Sequence, residues 1–260
     1  MTTLSPDMLT IAADLLEIPT LPVVLALDPQ HETIAAAQAA YEAGLGTLRG
    51  HGLVDEYGGV TSDVASALYT LAQPERQLVA RSFGPTGIRR MCLARRGGAH
   101  ALAVREDDTV DIREIWCDED PANLARIVSG VLGRMPAAEI PVMCGPAVDI
   151  AERFDAAMGS ADFADVAYHF GVTGQEAVHF GLAMSACHTH TEIVCYGEDA
   201  ATVVGAVAVY DTDRGRIVAA PDSPPGDPRT WTTLTSGSDH RLAQAISNLI
   251  EALPGGRWMP

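Results

Sequence analysis

The sequence contains no lysine; its 17 basic residues are all arginine, set against 34 acidic residues for a formal net charge of −17. The missing lysine is most simply a coding bias of a GC-rich genome and carries no mechanism. The acidic balance does exclude something: a body of this sign repels nucleic acid and anionic membrane surfaces as main partners. Long hydrophobic runs are absent as well. No uninterrupted apolar stretch approaches the ~20 residues a membrane helix needs, so no membrane insertion is expected. Met1–Asp7 shows no basic region leading into an apolar run, and no secretory signal is expected there. Cys92, Cys117, Cys144, Cys187 and Cys195 are odd in number and form no C-x-x-C pair, which fits reduced thiols in a cytoplasmic protein. No G-x-S-x-G elbow and no P-loop occurs, so nucleophilic and phosphoryl-transfer chemistry have no signature. Gly44-Leu45-Gly46 follows a helical run instead of a strand, and is not a dinucleotide loop.

What is present is 260 residues at 47% hydrophobic content, enough for a substantial core and too apolar for general disorder. The chain is organised around a unit that occurs twice. Trp231–Ser236 reads as a short strand, and Ser238 stands where a helix N-cap oxygen is wanted. Leu242, Ile246, Leu249, Ile250 and Leu253 then recur at helical spacing until Pro254. Earlier, Asp120 caps a helix carrying Leu124, Val128, Val131, Leu132 and Met135, stopped by Pro136, at a constant displacement of 118 residues (242 − 124).

The remaining pattern fills in two halves of one plan. In the first, Ser5-Pro6 opens a helix, Val23–Leu27 reads as a buried extended run ended by Asp28-Pro29, and helices cover about 32–48 and 62–72. Strands follow at 78–83, 88–94, 100–104 and 110–116, then a helix from Pro121. Residues 137–146, with Pro141 and Pro146 and just after Pro136, read as a connector. The second half gives helices over 147–158 and 163–186, strands at 191–196, 203–210, 216–220 and 230–235, with a long loop over 221–229, and the closing helix. The expected class is α+β: two pseudo-repeated halves, 1–136 and 147–260. Each has helices, a four-strand antiparallel meander and a closing helix, joined with quasi-two-fold symmetry in one domain.

Two stretches carry candidate chemistry. His188-Thr189-His190-Thr191-Glu192 alternates on a strand, so His188, His190 and Glu192 could converge on one metal, as in a metal-dependent hydrolase; the alternative is a solvated strand entrance. The stretch from Arg76 to Arg105 holds seven arginines and no acid, the only basic stretch in the chain. Those arginines either pair with the acidic segment 106–114 or meet a partner, a role arginine suits because it pairs and stacks at once. The 62–72 helix carries no arginine, which argues against a winged-helix DNA reader.

Leu21–Leu27, Gly215–Ser223, the run Trp231–Asp239 with Ala243–Ile246, and the ending Leu253-Pro254-Gly255-Gly256-Arg257-Trp258-Met259-Pro260 together resemble the EspG family of type VII (ESX) secretion-associated chaperones. The resemblance implies a cytoplasmic, non-enzymatic protein without cofactor. It would grip the tip of the PPE subunit of a PE–PPE heterodimer, keep the pair soluble and direct it to its secretion system, itself a monomer or weak homodimer. It further implies a partner surface from the first-half hairpin and the second-half helices. Those correspond to Arg95, Arg96, Gly97, Gly98 and His100, and to Phe163, Tyr168 and Phe170.

Overall fold

The protein, seen in a computed structural model that describes residues 2–27, 31–118, 120–197, 203–222 and 227–260, is built on one ten-stranded antiparallel sheet. In chain order the first half supplies β1 (Thr2–Leu4), α1 (Pro6–Leu15), α2 (Ile34–Gly50), α3 (Ser62–Ala72), β2 (Arg76–Gly84), β3 (Gly87–Arg96), β4 (Ala99–Glu106), β5 (Thr109–Ile115) and α4 (Pro121–Leu132). The second supplies β6 (Met143–Pro146), α5 (Ala147–Ala156), α6 (Ser160–His169), α7 (Gly174–Met184), β7 (Cys187–Tyr196), β8 (Val203–Thr212), β9 (Gly215–Asp222), β10 (Trp231–Ser236) and α8 (Asp239–Glu251). The strand order is β1-β5-β4-β3-β2-β7-β8-β9-β10-β6. Read inward from either edge it is the same order: a short edge strand, then the meander from its last strand to its first. The halves meet where β2 pairs antiparallel with β7, from Gln77 opposite Tyr196 to Phe83 opposite His190.

Local signals place most of these elements. Ser5 Oγ accepts from the Met8 amide ahead of α1, and Thr33 Oγ1 accepts from Ala36 ahead of α2. Asp120 and Ser238 cap α4 and α8 by the same device, satisfying amides that no helical carbonyl can reach. The edge strands are a different matter. β1 and β6 hold three and four residues, too few for any periodic pattern, and only their partners β5 and β10 define them. Residues 137–146 are therefore no free connector: β6 completes the sheet there, and Ala138 is buried.

A second expectation fails at 23–27. Val23–Leu25 is a 3₁₀ turn, and Ala26 follows in the left-handed region at φ 48°. Leu25 is buried, yet Val23 is 93% exposed. Long-range hydrogen bonds override the extended preference: Arg105 donates to the carbonyls of Leu25 and Ala26, and Arg90 reaches the Val24 carbonyl at 3.5 Å. Asp28-Pro29, and residues 223–226 of the expected long loop, lie outside the described residues.

The two faces of the sheet are covered unequally. On one, α4 and α8 lie side by side over both halves, sealing Leu78, Met91, Ile193, Val207 and Val218 against Leu124, Val128, Leu242 and Ile246. Arg216 and Asp211 form a buried ion pair at the end of this layer, with Arg216 also donating to the Gly133 carbonyl just beyond α4. On the other face two separate helical layers form: α1–α3 over the first half and α5–α7 over the second. The second is packed tightly enough that a Cβ at Gly181 of α7 would strike the Ser160 carbonyl of α6. Between the two layers, above β2 and β7, the sheet is left open.

Candidate partner-binding groove

The basic stretch is the place to begin, because the structure consumes most of it internally. Arg76 donates to the carbonyls of Pro254 and Arg257, and so ties down the C-terminal segment. Arg89 pairs with Glu106 at 2.8 Å, and Arg81 pairs with Glu192 at 2.8 Å. Of the seven, only Arg89 finds a carboxylate in the acidic segment 106–114.

The hairpin 95–100, expected as part of a partner surface, is not a solvated projection. Arg95 is only 4% exposed, pairs with Glu75 at 2.9 Å and donates to the Gly97 carbonyl. His100 is equally buried; its Nε2 accepts from the Trp258 indole N–H at 3.1 Å, and the two rings stack. Burial, with the Arg95 charge as a second cause, pushes the His100 pKa down, so the neutral ring that this hydrogen bond requires is the favoured form. His100 therefore holds the chain's C-terminal segment through Trp258, Arg95 is spent on Glu75 and its own turn, and both are withdrawn from any partner surface. Of the expected contacts on this hairpin, Arg96, Gly97 and Gly98 remain accessible at the tip. The reason is non-local: Trp258, far away in sequence, covers the hairpin.

The expected second-half trio is also dispersed. Phe170 packs on Gly145 of the edge strand β6, where a Cβ would lie 2.5 Å from its ring. Tyr168 is exposed, its hydroxyl donating to the Gly174 carbonyl. Phe163 is half-buried against Phe154, which in turn meets Tyr210 edge-on. Phe163 thus ends an aromatic chain, Phe83–His190–Tyr210–Phe154–Phe163, that runs from the middle of the sheet into the second helical layer.

That chain also settles the place of the histidines. His190 lies between Phe83 and Tyr210, and burial lowers its pKa. Glu192 is committed to Arg81, and His188 lies exposed beside a bulge in the β7–β8 pairing, bonded to the hydroxyl of Thr189. Three side chains in alternation thus have three different engagements. Among the described residues no group of three His, Cys, Asp or Glu side chains is placed to hold a metal ion. The buried thiols of Cys92 and Cys195 are pushed up to about 12 by desolvation, far from a nucleophile's range.

The open face above β2 and β7 forms a groove of about 530 Å³. Alternation along the strands directs Val79 and Arg81 of β2 and Val194 and Glu192 of β7 into it. The Leu21–Val24 turn makes one wall, and Leu71 at the end of α3 lines the same side. Exposed Val23 forms its apolar lip, and Phe83 and Ile88, each 38% exposed, continue the apolar surface beyond it. An open apolar concavity with a few converging charges is the architecture of a binding site.

The EspG family model matches residues 5–248. The chain belongs to the EspG family. Among curated EspG proteins, it is 28% identical to the ESX-3 secretion-associated protein EspG3 of Mycolicibacterium smegmatis, over 99% of this chain and 88% of that one. It is 24% identical to the ESX-1 secretion-associated protein EspG1 of Mycobacterium tuberculosis, over 97% and 87%. In three dimensions it shares the fold of the M. tuberculosis type VII secretion system chaperone EspG5, solved in complex with the PE25–PPE41 dimer. The TM-score is 0.79 at 18% identity, covering 99% of this chain and 98% of that one. For this EspG chain the groove was not legible as a site: its lining comes from residues 20–24, 71, 79, 81, 192 and 194, which no single window of sequence brings together. The one available signal was Arg81 and Arg90 on strands that otherwise alternate toward apolar layers.

Proposed function

We propose that this protein is a cytoplasmic, non-enzymatic secretion chaperone that binds a PE–PPE heterodimer through the tip of its PPE subunit, with the groove over β2 and β7 as the principal contact. The observation that carries the proposal is the groove itself: an uncovered apolar concavity of about 530 Å³ lies at the join of the halves, on a fold whose family members are secretion-associated proteins. No helix among the described residues is long and apolar enough to cross a membrane, which agrees with a partner met in solution. Arg96, Gly97 and Gly98 at the hairpin tip and Tyr168 on α6 are proposed as outlying contacts, with Phe163 and Phe170 supporting the helical layer behind them. The free chain acts as a monomer or weak homodimer.

The test is co-expression with PE–PPE gene pairs neighbouring this gene, followed by size exclusion. A soluble three-component complex is expected, and Val23→Asp should weaken it while the chaperone stays folded. If the wild-type chain leaves every such pair insoluble or unbound, the proposal fails.

A further inference from the structure

One row of side chains interrupts the apolar groove floor. Arg90 of β3 stands directly opposite Arg81 of β2, and Arg81 directly opposite Glu192 of β7. All three line the groove. Glu192 is paired with Arg81. Arg90 is left with the Val24 carbonyl at 3.5 Å, and among the described residues it forms no ion pair. Two guanidinium groups opposite each other on adjacent strands repel, and one carboxylate compensates only one of them. The row therefore holds one unneutralised positive charge, inside a concavity, in a protein whose formal charge is −17. On one side of the row lie Val79 and Val194; on the other lie Phe83 and Ile88, one alternation further along the strands. Residues two apart on a strand are separated by about 6.6 Å, so apolar contacts flank the charge at side-chain distance.

We infer that the groove selects an apolar protein segment bearing a carboxylate, which docks on Arg90 between two apolar contacts, while Glu192 holds Arg81 in reserve. This rests on the groove being the partner site, and adds the chemistry by which the site chooses. Charge complementarity at such a row gives discrimination more than affinity: a neutral segment leaves Arg90 desolvated and unpaired, and a basic one is repelled. A chain of net charge −17 offers an acidic segment little general attraction, and this row supplies a local one inside the groove.

A pair of dyes tests the chemistry without any natural partner. 8-Anilinonaphthalene-1-sulfonate is an apolar anion, and N-phenyl-1-naphthylamine is the same ring system without the sulfonate. Wild-type protein should bind both, the sulfonate more tightly. Arg90→Gln should weaken the sulfonate dye about tenfold, the loss of one charge-assisted contact, and leave the neutral dye within about twofold. Glu192→Gln should tighten the sulfonate dye by freeing Arg81. Val194→Phe, which fills the floor, should weaken both. Circular dichroism checks that each variant is folded. If wild type binds neither dye, or Arg90→Gln affects both equally or neither, the inference is overturned. If Val194→Phe also changes nothing, the groove itself is wrong. Failure of the chaperone reading shows separately, as wild type that binds the dyes but no PE–PPE pair.

Discussion

The two central strands, β2 and β7, present two very different faces. Toward α4 and α8, Leu78, Ala80, Ile193 and Cys195 are sealed from water. Toward the split helical layers, their neighbours Arg81, Phe83 and Glu192 stay substantially open. Strand chemistry alone does not make this difference. Both faces carry valine, alanine and larger apolar groups, and what differs is whether one helix pair spans the join or two layers stop short of it. A closed face at the join of the halves supplies stability, and an open one leaves apolar surface for another molecule.

The comparison can be broken most sharply on the closed face. Ile246→Ala, on the inner side of α8 and fully buried, should cost about 2–5 kcal/mol in denaturant unfolding. Ile88→Ala on the open face should cost about 1 kcal/mol or less. Equal costs would show that the open face is covered in solution. Next comes the hairpin 95–100, whose His100 clamps the C-terminal segment and whose Arg95 is buried. Arg95→Glu removes a buried cation from Glu75 and places two carboxylates together, and should destabilise by about 2 kcal/mol, reduced from a fully buried pair because Glu75 is half-exposed. Arg96→Glu, one residue on and exposed, should stay within about 0.5 kcal/mol. A neutral Arg95→Glu would return that hairpin to the solvated surface.

Acidification should act in the same region with a smaller effect. The folded-state pKa of His100 is lowered, so the unfolded chain takes up its proton first as pH falls through about 6.5. His100's contribution is thus fully present above that pH and is lost as pH falls toward its folded value. The thermal midpoint should drop between pH 7.5 and 5, partly through His190, whose pKa is lowered in the same sense. His100→Gln, which keeps an acceptor for Trp258, should flatten that dependence; an unchanged slope would show that the clamp does not titrate. The smallest effect is expected at His188→Ala: exposed beside its bulge, it should shift stability by no more than about 0.5 kcal/mol and leave partner binding unchanged.

Much of the architecture was legible because its causes are local. Ser5, Asp120 and Ser238 announce helix starts, and the glycine pairs and turns between 78 and 116 announce a meander. The equal spacing of 124–135 and 242–253 pointed to two closing helices, which indeed pack side by side. The site was legible only in outline. Arginine density between 76 and 105 marked an unusual region, but not which arginines were already engaged. Arg76 finds its acceptors at Pro254 and Arg257, and His100 finds Trp258. No window of sequence contains both members of these pairs.

By itself, then, the sequence determined the α+β class, most of the helices and meander strands in their order, and the family, since each depends on backbone preference, periodicity or residue pattern along the chain. The tertiary structure alone decided that β1 and β6 are strands, that Val23 turns outward, that Arg95 and His100 of the hairpin are buried and that the groove is open. All four depend on what sheet register and helix docking bring together across long separations. A side chain's burial and charge partner are properties of that assembly, not of its neighbours in sequence.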